Sequence, residues 1–270
     1  MRFFLTGISG FIAKHLAKRL IEQGHEVDIL SYGGPMVFNK WMEYVKWVDI
    51  SALQKNHYDY VIHLAATTSI KTDAATAIDV AYNNIIFAQK MLSTPYRTIY
   101  ASSTSVYDLN NPYAYSKAFN EHLGEIHGNA LGLRLFNVYG PGNNKGIVKR
   151  VIDCCLSGET LTLQGGDQIR DFIYVDDVVD IIIDHLHNPL SVMDVGTGIG
   201  TKIVDVVTMI WQECFASGLT KMWAQDLIKQ IHSDYHGEQM ESIAHSHPVK
   251  DYTPLREGIR KTIEETLKSR

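Results

Sequence analysis

Apolar positions along this chain follow two alternating rhythms. Short runs in which nearly every residue is apolar predict buried strands at Arg2–Thr6, Glu26–Leu30, Tyr44–Val48, Tyr60–Leu64, Thr98–Ala101 and Gly132–Phe136. Between them, apolar residues recur every three or four positions, which predicts helices over Phe11–Gln23, Ala74–Leu92, Tyr113–His127 and Ile147–Leu156. Strands alternating with helices predict an α/β fold with a doubly wound parallel sheet and right-handed crossovers. In such a sheet ligands lie beyond the carboxyl ends of the strands. After Gly140-Pro-Gly142 the pattern becomes mixed, with helices expected over Asp176–Leu186, Ile203–Cys214 and Leu255–Leu267. We therefore expect a first domain over 1–140 and a smaller mixed lobe over 141–270, some of whose segments return to the sheet. No repeat, low-complexity tract or linker interrupts this plan.

The first strand runs into Gly7-Ile-Ser-Gly10-Phe-Ile-Ala13 and then directly into helix-patterned sequence. Strand, glycine turn and helix in that order make a Rossmann-type phosphate site. Gly7 permits the tight turn. Gly10 lets a pyrophosphate approach the backbone at the helix amino end, where N–H groups and the dipole favour anions. Ala13 takes the third glycine position as a small packing residue. The first domain is accordingly expected to bind a dinucleotide and the lobe to bind substrate.

Composition narrows the class. The 270 residues suffice for a sizeable core, and a net charge of −5 with scattered Lys and Arg gives no reason to expect nucleic acid. No apolar run is long enough to span a bilayer, and the chain opens into a strand without a leader pattern. The three cysteines have no metal or disulfide spacing, which suits a reducing, cytoplasmic setting. Twelve histidines include the pairs His185/His187 and His245/His247, but neither has a zinc-site partner pattern, so no metal is expected.

Candidate chemistry lies at Tyr113-Ala-Tyr-Ser-Lys117, preceded by Ala101-Ser-Ser103. Tyr and Lys four apart share one helix face. A cation beside a phenol favours the phenolate, so the Tyr113 pKa is expected to drop, with Ser103 relaying a proton or orienting an alcohol. Such a group takes a proton from an alcohol while a hydride leaves the same carbon. Tyr115 should point away from Lys117, and Tyr107 is expected to be structural.

Across almost its whole length the chain resembles the extended short-chain dehydrogenase/reductases, in their nucleotide-sugar epimerase/dehydratase branch. The resemblance is carried by Thr6–Ala13, Val61–Ala66, Ala101–Tyr107, Tyr113–Lys117, Leu133–Gly142, Arg170–Asp177 and Asp194–Gly198. It implies that Gly7, Gly10, Phe11 and Ile12 hold the cofactor pyrophosphate and that Asp49 and Ile50 touch adenine. Leu64, Ala65 and Ala66 would line the path toward the nicotinamide ribose, and Asn84 would match a cofactor-side asparagine, with Ser31 at the position where an acid binds the ribose 2′-hydroxyl. Ser103, Tyr113 and Lys117 would be catalytic. Thr67, Ser103, Asn137 and Arg170 would contact a nucleotide-diphosphate sugar. A guanidinium suits a diphosphate because it binds phosphate oxygens bidentately; the competing reading of Arg170 is a surface pair with Asp171. The resemblance also implies a homodimer through helices 74–92 and 113–127, using Ile78, Ile85, Ile86, Met91, Phe119, Leu123 and Ile126.

Four departures from the branch shape the expected reaction. Ser31 replaces the acid that binds a ribose 2′-hydroxyl and repels a 2′-phosphate, and Asp28 faces the other way from it along the strand. Thr104 and Ser105 stand where 4,6-dehydratases carry acidic residues, which argues against dehydration. Only Asp108–Pro112 separates Tyr107 from Tyr113, a short loop that suggests an open sugar pocket. Tyr235-His-Gly-Glu238 fills the place of a second phosphate-binding Arg, with His236 as a weaker contact and Lys149 or Arg150 as alternatives. The leading expectation is an NAD(P)-dependent epimerase acting at C4 through a 4-keto sugar. An NADPH-dependent 4-keto-sugar reductase is the alternative. A non-catalytic cofactor sensor is a third reading, weakened by the presence of Ser103, Tyr113 and Lys117 together.

Overall fold

Each apolar run becomes a strand and each periodic stretch a helix, with boundaries shifted by a few residues. The computed structural model describes residues 1–31, 40–188, 191–231, 241–245 and 251–268. Its strands are β1 (Arg2–Thr6), β2 (Glu26–Leu30), β3 (Lys46–Val48), β4 (Tyr60–His63), β5 (Arg97–Ser103), β6 (Ala130–Leu135), β7 (Asn137–Tyr139), β8 (Leu161–Gln164), β9 (Ile169–Tyr174), β10 (Val192–Val195), β11 (Gly200–Lys202), β12 (Ile228–Ile231) and β13 (Glu241–Ser242). Helices are α1 (Phe11–Glu22), α2 (Ala52–Lys55), α3 (Ala74–Val80), α4 (Phe87–Leu92), α5 (Pro112–His127), α6 (Gly146–Ser157), α7 (Val175–Asp184), α8 (Ile203–Ala216), α9 (Ala224–Leu227) and α10 (Leu255–Lys268). Two units result: Met1–Leu135 with Val179–Asp194, and Phe136–Val178 with Val195–Arg270.

The first unit is built on a seven-stranded sheet in the order β10-β6-β5-β4-β1-β2-β3, flanked by helices. Its pairs from β3 through β6 are parallel. Strand order reverses between β1 and β4, which opens a crevice at their carboxyl ends. Phe3, Phe4 and Leu5 of β1 and Val61 and Ile62 of β4 are fully buried, as central parallel strands require. The second unit carries a mixed sheet in which β9 pairs antiparallel with β11 and parallel with β13 and β7, plus the parallel pair β8–β12.

Three local departures have physical causes. The expected strand over 44–48 shortens to β3, because Lys40–Tyr44 forms a 3-10 turn that buries Met42 and leaves Tyr44 exposed. The expected helix over 74–92 is continuous, but Ala81–Ile86 between α3 and α4 winds as a π-helix. The wider turn brings Asn84 inward to 1% exposure. Met91, expected on a dimer face, is instead in the core with Phe4, Tyr58 and Val61. Ile85 and Leu123 are half-buried, whereas Ile78, Ile86, Phe119 and Ile126 are exposed, joined by Tyr82 and Tyr115.

Helix α5 is the element that carries Tyr113 and Lys117. Asn111 caps its start by accepting from Ala114 N (3.0 Å), Pro112 occupies the first turn, and Gly128 ends it with φ +65°. Its docking is set by the buried Tyr100 phenol. That oxygen would lie 2.8 Å from a Cβ at Gly124 on α5 and 2.6 Å from one at Gly132 on β6. We expect Gly132→Ala to lower stability by about 1–3 kcal/mol through overpacking. Urea unfolding of the double variant with Tyr100→Phe should recover part of that loss, because the nearest clashing atom is gone.

Candidate active site

The crevice at the end of β1 is lined by backbone. Gly7 has φ +88°, and a Cβ there would fall 2.6 Å from Ala65 N and 2.7 Å from Leu64 C, so the glycine turn and the end of β4 touch main chain to main chain. Gly10 N donates to Gly7 O (2.8 Å), closing the turn, and Gly10 is the residue that precedes α1. A Cβ at Gly10 would meet only Gly7 O at 3.1 Å. Helix α1 has no side-chain cap, so among the described residues the N–H groups of its first turn, at Phe11 and Ile12, have no side-chain acceptor. An open glycine over uncapped helical N–H groups fits a pyrophosphate.

Behind the turn sits a buried polar relay. Thr6 Oγ1 accepts from Ala65 N (3.3 Å) and is hydrogen-bonded to His63 Nδ1 (2.8 Å). Burial, reinforced by the Lys117 charge, lowers the His63 pKa to about 3, so the ring is neutral. Nothing in the sequence pattern singled out His63; its strand position marked it only as a core residue.

Lys117 is itself buried, and its Nζ donates to Ala101 O (2.6 Å) and lies 5.6 Å from the centre of the Tyr113 ring. Burial lowers its pKa to about 8, with Glu121 opposing the shift. For Tyr113 the expected drop in pKa is overturned. Burial raises it, and the neighbouring Ser103 hydroxyl only partly opposes this. The physical reason is placement: the ammonium sits over the ring and is held by a backbone carbonyl, so desolvation of the phenolate dominates. Ser103 Oγ also accepts from Ser105 N (3.2 Å) and donates to Ser105 Oγ (3.1 Å), which fixes it at the end of β5.

Glu121, one turn beyond Lys117, was not expected from the motif. Its carboxylate accepts from Ser102 Oγ (2.5 Å) and, as a two-pronged pair, from Arg134 Nε (2.9 Å) and Nη2 (2.7 Å). Arg134 Nη1 donates to Tyr107 Oη (2.8 Å), which donates to Asp194 Oδ1 (2.6 Å). Tyr107 thus ties the 3-10 turn Thr104–Tyr107 to β6 and β10. Tyr115 is exposed on the far side of α5.

The remaining expected residues are placed as follows. Asn84 uses its whole amide internally: Oδ1 accepts from Thr67 N (2.7 Å), and Nδ2 donates to Thr67 O (2.9 Å) and Ser116 Oγ (3.1 Å). It fixes the loop Leu64–Thr67. Thr67 Oγ1 accepts from Asn83 Nδ2 (3.2 Å). Leu64, Ala65 and Ala66 are half-buried on that loop. Ser31 is exposed at the end of β2, its N donating to Val48 O (2.9 Å). Asp28 is buried, accepting from Arg2 Nη2 (2.7 Å) and Tyr58 Oη (2.6 Å). Asp49 accepts from Ser51 N (2.7 Å), and Ile50 is exposed beside it.

In the second unit, Arg170 lies on β9 opposite Thr201 of β11 and Ser242 of β13, its Nη1 donating to Ile169 O (2.9 Å). Asp171 is fully buried and accepts from Thr197 N, Thr197 Oγ1, Gly198 N and Ala244 N. A surface pair of Arg170 with Asp171 is therefore not the arrangement: adjacent strand residues point to opposite faces. Asn137 Nδ2 donates to the backbone carbonyl of Asp171 (3.1 Å). Lys149 pairs with Asp153 on its own helix, and Arg150 is exposed. Tyr235–Glu238 with His236, Tyr32 and His247 lie outside the described residues.

Residues 3–196 match the NAD dependent epimerase/dehydratase family. A UDP-N-acetyl-alpha-D-glucosaminuronate decarboxylase of Bacillus cytotoxicus is 30% identical, covering 78% of this chain and 79% of that protein. A CDP-abequose synthase of Salmonella typhimurium is 28% identical, covering 98% and 96%. Among solved structures, TunA, an NAD dependent NDP-hexosamine 5,6-dehydratase, superposes with a TM-score of 0.81 at 26% identity over 100% of this chain and 98% of its own.

The electrostatics predict that, in the cofactor-free protein, the Lys117 amine titrates near pH 8, well below an exposed lysine. Carbon NMR of labelled lysine, assigned with Lys117→Arg, measures this directly. A midpoint above 10 would contradict it.

Proposed function

The chain belongs to the NAD dependent epimerase/dehydratase family, whose relatives here are nucleotide-sugar epimerases, dehydratases and decarboxylases. From that premise we propose that it is a nucleotide-diphosphate-sugar epimerase acting at C4 through a 4-keto sugar. One observation carries the reading. A run of close neighbours leads from the glycine turn through Ala65, Thr6 and His63 to Lys117, Tyr113 and Ser103, all in the first unit.

NAD would be held by Gly7, Gly10, Phe11 and Ile12 at the pyrophosphate and by the loop Leu64–Ala66 on the nicotinamide side. When bound it supplies a hydride acceptor for the carbon of a sugar alcohol and a donor for the return step. Tyr113 Oη takes and restores the alcohol proton, directly or through Ser103 Oγ. Lys117 holds positive charge beside it. Burial keeps the Tyr113 proton on at neutral pH, so the positive charges brought together in the loaded site are what release it. Asn137 and Arg170 are assigned to the substrate's diphosphate. Thr104 and Ser105, neutral hydroxyls, supply neither the acid nor the base a 4,6-dehydration requires.

Tyr113→Phe is expected to cut turnover by about 10²–10⁴-fold while leaving NAD bound. Product analysis with a panel of nucleotide sugars, together with identification of the dinucleotide released on denaturation, checks this. Full turnover in that variant would remove Tyr113 from the mechanism.

A second reading is favoured by one finding. One relative that spans both chains almost end to end is a CDP-abequose synthase, and Ser31 carries no charge to repel a 2′-phosphate. A 4-keto-sugar reductase would run the same proton transfer once, oxidising one NADPH for each sugar reduced. Stoichiometric loss of NADPH absorbance with a 4-keto sugar would select it over the epimerase.

We also propose a homodimer through the exposed apolar side chains of α3, the π segment and α5: Ile78, Tyr82, Ile86, Tyr115, Phe119 and Ile126. That many exposed large apolar groups on neighbouring helices are costly to leave in water. Ile78→Glu with Phe119→Glu should convert the dimer to a monomer in analytical ultracentrifugation. A monomeric parent protein at micromolar concentration would refute the dimer.

A further inference from the structure

Tyr113, Lys117 and Glu121 are spaced four residues apart and form one stripe along α5. The stripe faces three consecutive residues at the end of β5. Lys117 Nζ donates to Ala101 O (2.6 Å), Ser102 Oγ donates to Glu121 Oε1 (2.5 Å), and the Ser103 hydroxyl neighbours Tyr113. The third rung is the anchored one. Both Glu121 oxygens are taken by the Arg134 fork, and Arg134 is itself fixed by Tyr107, which Asp194 holds. The Glu121 side chain is only 12% exposed, so its charge acts at short range with little screening.

We propose that Glu121 is a positioning residue of the site. Through Ser102 and the Arg134 fork it sets the register of β5 against α5, and it keeps the neighbouring Lys117 ammonium charged. This rests on the reading of Ser103, Tyr113 and Lys117 as the reacting group. It extends that reading to a carboxylate that touches neither sugar nor cofactor.

The charges balance in a line. Lys117 is positive, Glu121 negative, Arg134 positive and Asp194 negative. The titratable groups beside Lys117 are neutral, His63 at the end of β4 and Tyr113 on the same helix, and so are Tyr100 on β5 and Tyr107 in the 3-10 turn. Glu121 is the anion whose charge opposes the effect of burial on Lys117. The two halves of the proposal come apart in different variants. Removing the Glu121 charge withdraws support from the ammonium, whereas removing the Arg134 charge leaves Glu121 uncompensated and strengthens it. Ser102→Ala leaves every charge in place and cuts only the tie to β5.

The test reads the Lys117 titration by carbon NMR in the full-length protein without substrate or cofactor. Glu121→Gln should lower the midpoint by about one pH unit, and Arg134→Met should raise it. A merely structural role would move both in the same direction or neither. Ser102→Ala should keep the Lys117 midpoint and lower kcat by about 10-fold, with KM for the sugar unchanged, as expected for a small misplacement of reacting groups. Should Glu121→Gln fail to fold by circular dichroism, the raised midpoint in Arg134→Met and the lowered kcat at an unchanged midpoint in Ser102→Ala carry the test, and an unmoved midpoint in Arg134→Met overturns the proposal. An identical Lys117 midpoint in the Glu121 and Arg134 variants, or an unaltered kcat in Ser102→Ala, overturns the proposal. Shifted midpoints in a protein that converts no nucleotide sugar would instead sink the epimerase reading and leave the Glu121–Lys117 coupling standing.

Discussion

The first unit is organised around one costly act, the burial of the Lys117 ammonium. A buried cation without partners would either lose its proton or destabilise the fold. The protein meets this with a carbonyl, Ala101 O, at 2.6 Å and with the Glu121 carboxylate one turn away. Both partners belong to the junction of β5 with α5. Because the carbonyl is at a strand end and the carboxylate is on the helix, satisfying the lysine also sets the strand against the helix. The Tyr100 phenol, wedged between Gly124 and Gly132, fixes how close the two approach.

That arrangement changes the electrostatic picture of the tyrosine. A lysine four residues away does not by itself make a phenol acidic. In this fold the amine is over the ring and bound to the backbone, and burial raises the Tyr113 pKa. The tyrosine is held short of its ionised state. Charge arriving in the glycine-lined crevice then has a large effect on a desolvated phenol, since water screens little there. Preorganisation of this kind puts the proton under control of what is bound.

Family membership and reaction are separate conclusions. In the proposed reading the glycine turn, the β1–β4 crevice and the Ser-Tyr-Lys group together take a proton and a hydride from a sugar alcohol. What happens to the ketone afterwards depends on neighbouring acids, bases and the turn of the sugar. Here the neighbouring turn offers Thr104 and Ser105. In the second unit, Asp171 ties Thr197, Gly198 and Ala244 around β9, while Arg170 occupies the opposite face of the same strand. An acid that organises loops and a cation that faces away from them are a division of labour on adjacent residues.

Local pattern alone determined most of the architecture. Strand β2 and the start of α1 fall where the apolar rhythm puts them, α5 begins one residue early because Pro112 takes its first turn, and the glycine turn sits between β1 and α1. These features depend on neighbours within a few residues, and periodicity records them. The π turn at Ala81–Ile86, the inward swing of Asn84 onto Thr67, the neutral His63, the buried Met91 and the Glu121–Arg134 fork were decided by tertiary structure. Each depends on a partner far along the chain or on depth from water. A pattern of apolar and polar letters specifies which face of an element turns inward, but not what it meets there or how dry the meeting place is.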